Sequence, residues 1–377
     1  MSKIKKIQLF KPHILKNVQY KGGSTRSETG GTEQVYKMSS NENMLGASPK
    51  AVQAIQDNVH LLNEYGFQFD EKLRDALAKH HQNDLTPNQF ITANSGMELL
   101  ELMCRAFLDK GLECILCTPT FKAYKNFAYV EGAKAIEIPL IGDNFDLDTE
   151  GVLAAVNNKT RLIFLATPNN PTGTIISAEA INTLLDRLPD HVIVVYDEVY
   201  FHYVENPDFV KAVDFIKKGK HVIGLHSFSK AYGLAGIRLA YAFSTPEIAQ
   251  YLNNARRPFM INTLTMEAGL AALTDVEHLE KTIQLNTQEK PYLYAELDKL
   301  GIEYWRTEAN FILMKSPIPN AVLTAKMLEN GIMIRSCEPF GMEGFSRITI
   351  GTHEANEAFI AAFKKITNHL SSLARAK

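Results

Sequence analysis

Long apolar runs are missing from this 377-residue chain. None approaches the roughly 20 residues that span a bilayer, and the opening "MSKIKKIQLFKPHILK" keeps breaking its apolar residues with lysines, unlike the core of a signal peptide. A soluble, cytoplasmic protein without membrane contact is expected. A basic excess is missing too: 40 Lys and Arg stand against 42 Asp and Glu, for a net charge of -2. Nucleic acid and anionic membranes demand clustered positive charge, so small molecules are the expected partners. Cysteine is scarce, and Cys104, Cys114, Cys117 and Cys337 are too few to staple a chain of this length. Cys114 and Cys117 have C-x-x-C spacing, but they lie in the apolar run "ECILC" with no second ligand pair, so they read as buried reduced thiols and no metal is expected. The sequence contains no internal repeat, no G-x-x-x-x-G-K-S/T and no G-x-G-x-x-G, so neither a nucleotide triphosphate nor a dinucleotide is indicated.

What is present is an ordinary globular composition, 45% hydrophobic and 22% charged. The length exceeds the roughly 250 to 300 residues at which one core stops growing, so a large domain and a smaller one are expected. The Gly, Ser and Thr-rich patch "KGGSTRSETGGTE" (21 to 33) reads as a loop or linker. From about residue 85 five short apolar runs recur, each ending in small or polar residues: "QFITANSG", "ECILCTPTF", "RLIFLATPNNPTG", "HVIVVYDEVY" and "HVIGLHSFSK". Between them lie amphipathic stretches such as "GMELLELMCRAFLDKG" (96 to 111), with Leu99, Leu100, Met103 and Phe107 on one helical face. Apolar runs alternating with helices predict an α/β fold whose parallel sheet is covered on both faces. Such a sheet binds ligands beyond the carboxyl ends of its strands. There the runs deliver Asn94 and Ser95, Thr118 to Thr120, Asn169 and Asn170, Asp197 and Tyr200, and Ser227 to Lys230. Beyond about residue 280, "NFILMK", "IMIRS" and "SRITIG" suit a smaller α+β domain.

The chemistry of three of these clusters is complementary. Ser95, Gly96 and Met97 begin a helix, where free N–H groups and the positive end of the dipole attract an anion such as phosphate. Asp197 ends the apolar run Val192 to Tyr196, so its carboxylate either caps a turn or needs a cationic partner such as a protonated heterocyclic nitrogen. Lys230 stands in "HSFSKAYGLAGIRLAY" without an acidic neighbour in that stretch. A strand-end lysine can reach solvent, but in a semi-buried pocket its pKa falls and the neutral amine becomes a nucleophile toward aldehydes. Anion site, carboxylate and amine together are the requirements of pyridoxal 5'-phosphate.

Six segments, "SSNENMLGASP", "TPNNPTG", "VVYDEVY", "SFSKAYGLAGIRLAY", "ANFIL" and "RITIGTHEAN", resemble the histidinol-phosphate aminotransferase branch of the fold-type I, class I/II pyridoxal-phosphate aminotransferases, from about residue 38 to 360. The resemblance implies a large, mostly parallel cofactor-binding domain over 48–275, a small α+β domain over 276–377 and a segment, 1–47, that joins the small domain. It implies that Lys230 carries the cofactor as a Schiff base and moves the substrate proton, that Asp197 pairs with the pyridine nitrogen, and that Tyr200 and Asn170 bond the 3'-oxygen. Ser95, Gly96, Met97, Ser227, Ser229 and Arg238 would cradle the phosphate and Tyr124 would stack on the ring. Arg347, Arg335, Asn41 and Tyr20 would contact substrate, Arg347 through its acidic group and Arg335 through a distal phosphate. Tyr65 would reach the neighbouring subunit's cofactor phosphate, which implies a homodimer. The chain departs from the family's usual residues at Met97, Met44 and Gly66, and none of these removes a catalytic group. The expected activity is transfer of an amino group between a donor such as glutamate and a second amine or oxo acid. A pyridoxal-phosphate decarboxylase or lyase is the alternative, and a binding module that has lost its chemistry is a third reading.

Overall fold

The computed structural model describes residues 11–16, 35–66 and 70–375. Tyr20 and the patch 21–33 lie outside the described residues. In chain order the strands are β1 (Tyr36–Lys37), β2 (Phe90–Ala93), β3 (Glu113–Thr118), β4 (Lys134–Pro139), β5 (Thr160–Ala166), β6 (Ile193–Asp197), β7 (Val222–Ser227), β8 (Ala240–Phe243), β9 (Phe311–Lys315), β10 (Ile332–Met333), β11 (Arg335–Ser336) and β12 (Phe345–Thr349).

β2 to β8 form one seven-stranded sheet in the order β2-β8-β7-β6-β5-β3-β4. All neighbours are parallel except at β8, which runs antiparallel to both β2 and β7. Two reversals restore direction, so the five expected runs, β2, β3, β5, β6 and β7, end on the same sheet edge. β8 and β4 were not among those runs. β8 is short but buried at all four positions, whereas β4 is an edge strand whose residues are half-buried or exposed and lacks the apolar signature of a central strand. β7, by contrast, is buried at every position.

Helices cover the sheet, and their starts are written locally. Ser95 caps Gly96–Phe107, its hydroxyl accepting from the Glu98 N–H at 3.3 Å. Asp148 and Ser177 cap Thr149–Ala155 and Ala178–Arg187 in the same way. Leu99, Leu100 and Met103 of the Gly96–Phe107 helix are buried in the large core with Phe90, Phe164, Leu225 and Phe243 of the sheet.

A second core gathers Leu293 and Leu297 of the 24-residue helix Val276–Lys299, Ile312, Met314 and Ile348 of the antiparallel sheet β11-β12-β9, and Phe359 and Phe363 of the last helix. Met38 belongs to this core, and β1 pairs in parallel with β10, so the segment around residue 38 is tied to the carboxyl-terminal half. Among the described residues no helix is long and apolar enough to cross a membrane.

Candidate active site

At the carboxyl edge of the large sheet lies a cavity of about 410 Å³. It is walled by strand ends, by residues 39–42, and by β11 and β12. Of the expected residues, Gly96, Met97, Tyr124, Asn170, Asp197, Tyr200, Ser227, Ser229, Lys230, Arg238, Asn41, Arg335 and Arg347 all line it.

Asp197, the last residue of β6, accepts the Tyr124 hydroxyl at 2.7 Å and the Val199 N–H at 3.3 Å. Both donors are neutral, and burial, partly offset by the Tyr124 bond, pushes the carboxyl up to about 6. A carboxylate held in this way suits a cationic ring nitrogen placed in the cavity. Lys230, three residues beyond β7, donates to the Ser40 carbonyl at 3.1 Å and stands 5.7 Å from the centre of the Tyr200 ring. Burial, and then the Arg347 guanidinium, push its amine down to about 8. A usable fraction is then neutral and nucleophilic near pH 8.

The loop after Lys230 is fixed by close approach to the segment around residue 45. Gly233 has φ +69, and a Cβ there would come within 2.0 Å of the Gly46 carbonyl oxygen. The Ala231 carbonyl accepts from Asn43 Nδ2 at 3.0 Å, and the Tyr232 carbonyl accepts from the Ser48 N–H at 3.1 Å.

An anion cradle lies beside Lys230. The Gly96–Phe107 helix points its amino terminus here, with Gly96 and Met97 on the wall. The Ser229 N–H donates to Ser227 Oγ at 3.1 Å. Arg238, in the left-handed region at φ +60, is pinned through a 2.8 Å bond from Nη1 to the Ala235 carbonyl. Ser95 lies behind this wall as the helix cap. The set of helix end, hydroxyls and guanidinium fits a phosphate, and with Asp197 and Lys230 it fits pyridoxal phosphate.

Opposite the sheet edge, Arg347 on β12 is 4% exposed. It donates to Asn170 Oδ1 and, at 2.9 Å, to the Ser39 carbonyl, and it sits 5.2 Å from the Phe311 ring centre. Its register partner on β11 is Arg335. Phe340 lies 5.9 Å from each guanidinium carbon.

Tyr124, expected to stack on a cofactor ring, is fully buried and stacks on Phe164 at 5.0 Å, while its hydroxyl serves Asp197. Phe121, one turn earlier, is the half-buried aromatic on the cavity wall, a residue sequence reasoning missed although "TPTF" ends a run it quoted. The Ser39 and Ser40 carbonyls were also missed, because main-chain acceptors have no residue signature. Tyr65 is 90% exposed outside the cavity, 5.5 Å from the Phe259 ring. Cys114 and Cys117 are buried in β3, and burial pushes both thiols up to about 12.

The family described as "Aminotransferase class I and II" matches residues 33–363. The histidinol-phosphate aminotransferase of Moorella thermoacetica is 38% identical over 337 residues, 89% of this chain and 86% of that protein. That of Halalkalibacterium halodurans is 34% identical over 371 residues, 96% and 100% of the two chains. Among solved structures, a putative histidinol-phosphate aminotransferase from Erwinia carotovora atroseptica superposes with a TM-score of 0.84 at 26% identity, covering 93% of this chain and 99% of that one. The Sinorhizobium meliloti histidinol-phosphate aminotransferase in complex with pyridoxal-5'-phosphate shares the fold, with a TM-score of 0.85 at 24% identity and coverage of 96% and 98%.

Proposed function

Because the chain belongs to the class I and II aminotransferases, which are fold-type I enzymes dependent on pyridoxal phosphate, we propose roles for the residues of its cavity and a phosphorylated amine as its substrate. The observation that carries the reading is the convergence of Lys230, Asp197, Arg238 and Arg347 on one cavity from three separate parts of the chain.

Lys230 would hold the cofactor, Asp197 its ring nitrogen, Tyr200 and Asn170 its ring oxygen, and the Gly96–Phe107 helix end with Ser95, Ser227, Ser229 and Arg238 its phosphate. When bound, pyridoxal phosphate supplies an aldehyde that condenses with amines and a ring that delocalises the charge left when the neighbouring carbon loses a proton. Asp197 keeps a negative charge at the nitrogen end of the cavity. Lys230, with an amine near 8, accepts and returns a proton at the substrate carbon. Arg347 grips the substrate's acidic group through two parallel hydrogen bonds, its planar fork already oriented by Asn170 and Ser39.

Histidinol phosphate, the substrate in the relatives' names, is the substrate we assign, with glutamate and 2-oxoglutarate as the exchanging pair. Arg335, opposite Arg347 in register, would meet its phosphate. The relatives are aminotransferases, which weighs against the decarboxylase or lyase alternative. We place the domains at 48–275 and 276–377, with 1–47 joining the small one, a division supported by the two separate cores. A homodimer is supported by the exposed apolar residues Val59, Leu62, Tyr65 and Phe259, at 48, 72, 90 and 48%, with Tyr65 reaching the partner's cofactor. We place the enzyme in the cytoplasm.

The test is spectral. Glutamate added to the cofactor-loaded protein should shift its visible absorbance to that of the aminated cofactor, and 2-oxoglutarate or the oxo partner of histidinol phosphate should reverse it. No shift with glutamate sinks the transfer reaction. A shift without reversal by the histidinol-phosphate partner sinks only the substrate. Lys230→Ala should lower turnover by at least roughly the 10² to 10⁴-fold of a lost acid–base group, with an unchanged circular dichroism spectrum.

A further inference from the structure

Asn41 is held in the left-handed region at φ +54 and is 1% exposed. Asparagine tolerates that region better than most residues, but the conformation still needs support from its surroundings. Each of its polar groups has a partner. The N–H donates to Thr349 Oγ1 at 2.9 Å, the carbonyl accepts from Asn310 Nδ2 at 3.2 Å, and Oδ1 accepts from the Thr349 hydroxyl at 3.4 Å. Those three contacts tie Asn41 to the smaller antiparallel sheet. The fourth crosses to the large sheet: Nδ2 donates to the Tyr200 hydroxyl oxygen at 2.9 Å.

An amide N–H has no acceptor capacity, so the tyrosine proton cannot be donated back to Asn41 Nδ2. With one lone pair of the Tyr200 oxygen engaged by Asn41, the tyrosine proton must point elsewhere. The ring is held edge-on to Phe311 at 5.1 Å, with the Lys230 amine 5.7 Å from its centre. Residues 39 and 40 complete the contact, since their carbonyls accept from Arg347 and Lys230.

Resting on the cofactor roles above, we propose that Asn41 is a positioning residue for the cofactor and not a substrate contact: it aims the Tyr200 hydroxyl into the cavity, toward the cofactor's ring oxygen. A hydroxyl so aimed stabilises negative charge on that oxygen and thereby favours the deprotonated form of the bound chromophore.

The test uses the cofactor-loaded protein without substrate and reads the pH midpoint of its visible band. Asn41→Asp keeps the size and the left-handed preference but replaces the donor by an acceptor, so the tyrosine proton turns toward residue 41. The midpoint should rise by about one pH unit or more, as it should in Tyr200→Phe, and the Asn41→Gly, Tyr200→Phe double variant, which adds no charge, should rise no further than Tyr200→Phe alone. Asn41→Gly, which keeps both main-chain bonds and the backbone conformation, should move the midpoint the same way if the Asp variant does not fold. Arg347, Glu42, Arg238 and Lys37, whose charges act on Lys230, are unchanged in each variant. A raised KM with an unmoved midpoint in folded Asn41 variants overturns the positioning role and returns Asn41 to the substrate, and additive midpoint shifts in the double variant overturn it as well. A wild-type protein with no visible band after reconstitution overturns the cofactor roles themselves, and this proposal with them.

Discussion

The Tyr124 hydroxyl donates to Asp197 at 2.7 Å, and this bond opposes the effect of burial on the carboxylate. Removing it in Tyr124→Phe leaves the Val199 N–H as the remaining donor named above. The Asp197 carboxyl should rise further above about 6, and a larger share would be protonated at neutral pH. For a rise of about one unit, affinity for pyridoxal phosphate should fall about twofold at pH 7 and approach tenfold near pH 5, where the carboxyl is mostly protonated in both proteins. Fluorescence titration of the cofactor-free protein measures it, and unchanged affinity would show that the bond only fills space.

Lys230 yields a pH prediction whose sign follows from its environment. The neutral amine is the form that captures an aldehyde, so the rate at which cofactor-free protein takes up pyridoxal phosphate should rise with pH and level off above about 8. Arg347 is the largest charge that lowers this amine. In Arg347→Met the plateau should therefore move to higher pH, toward the ordinary lysine value. Stopped-flow uptake across pH 6 to about 10 decides it, and a shift to lower pH would contradict the assignment.

Arg335 separates the two substrates. In Arg335→Ala a phosphorylated amine should lose about 10- to 100-fold in KM, the scale of one or two hydrogen bonds to a charged group. Glutamate, which carries no phosphate, should be unaffected. Parallel losses for both would move Arg335 to a general electrostatic role, and steady-state kinetics with each donor distinguishes the cases.

Gly233→Ala tests the loop that carries Lys230. A Cβ at φ +69, within 2.0 Å of the Gly46 carbonyl oxygen, forces the two segments apart. The cost should be at least roughly 1 to 3 kcal/mol, seen as a lower unfolding temperature, together with weaker cofactor retention. Gly236→Ala, where a Cβ meets nothing within 4 Å, is the control.

Much of the site was legible because it is local. A buried strand needs a run of apolar residues and a ligand edge needs polar residues directly after it, so "VVYD" and "HSFSK" mark both the strand and the position of Asp197 and Lys230. The Ser95 cap, the amphipathic face of the following helix and the Arg335 and Arg347 strands are set the same way, by residues within a few positions of one another. Packing decided the rest. Both Phe121 and Tyr124 border the cavity, and which of them leaves a half-buried ring there depends on which ring Phe164 stacks against. β8 enters between β2 and β7 with reversed direction because the long-range ladder pairs it there, and its four residues carry no mark of that choice. Ser40 reaches Lys230 across 190 positions and Asn41 reaches Tyr200 across 159, the first through a carbonyl that every residue possesses. Sequence by itself determined which residues have the chemistry and which strand ends present them. Only the tertiary structure decided which hydrogen bonds aim them, because backbone acceptors and distant contacts are selected by the packing of two cores and leave no local pattern to read.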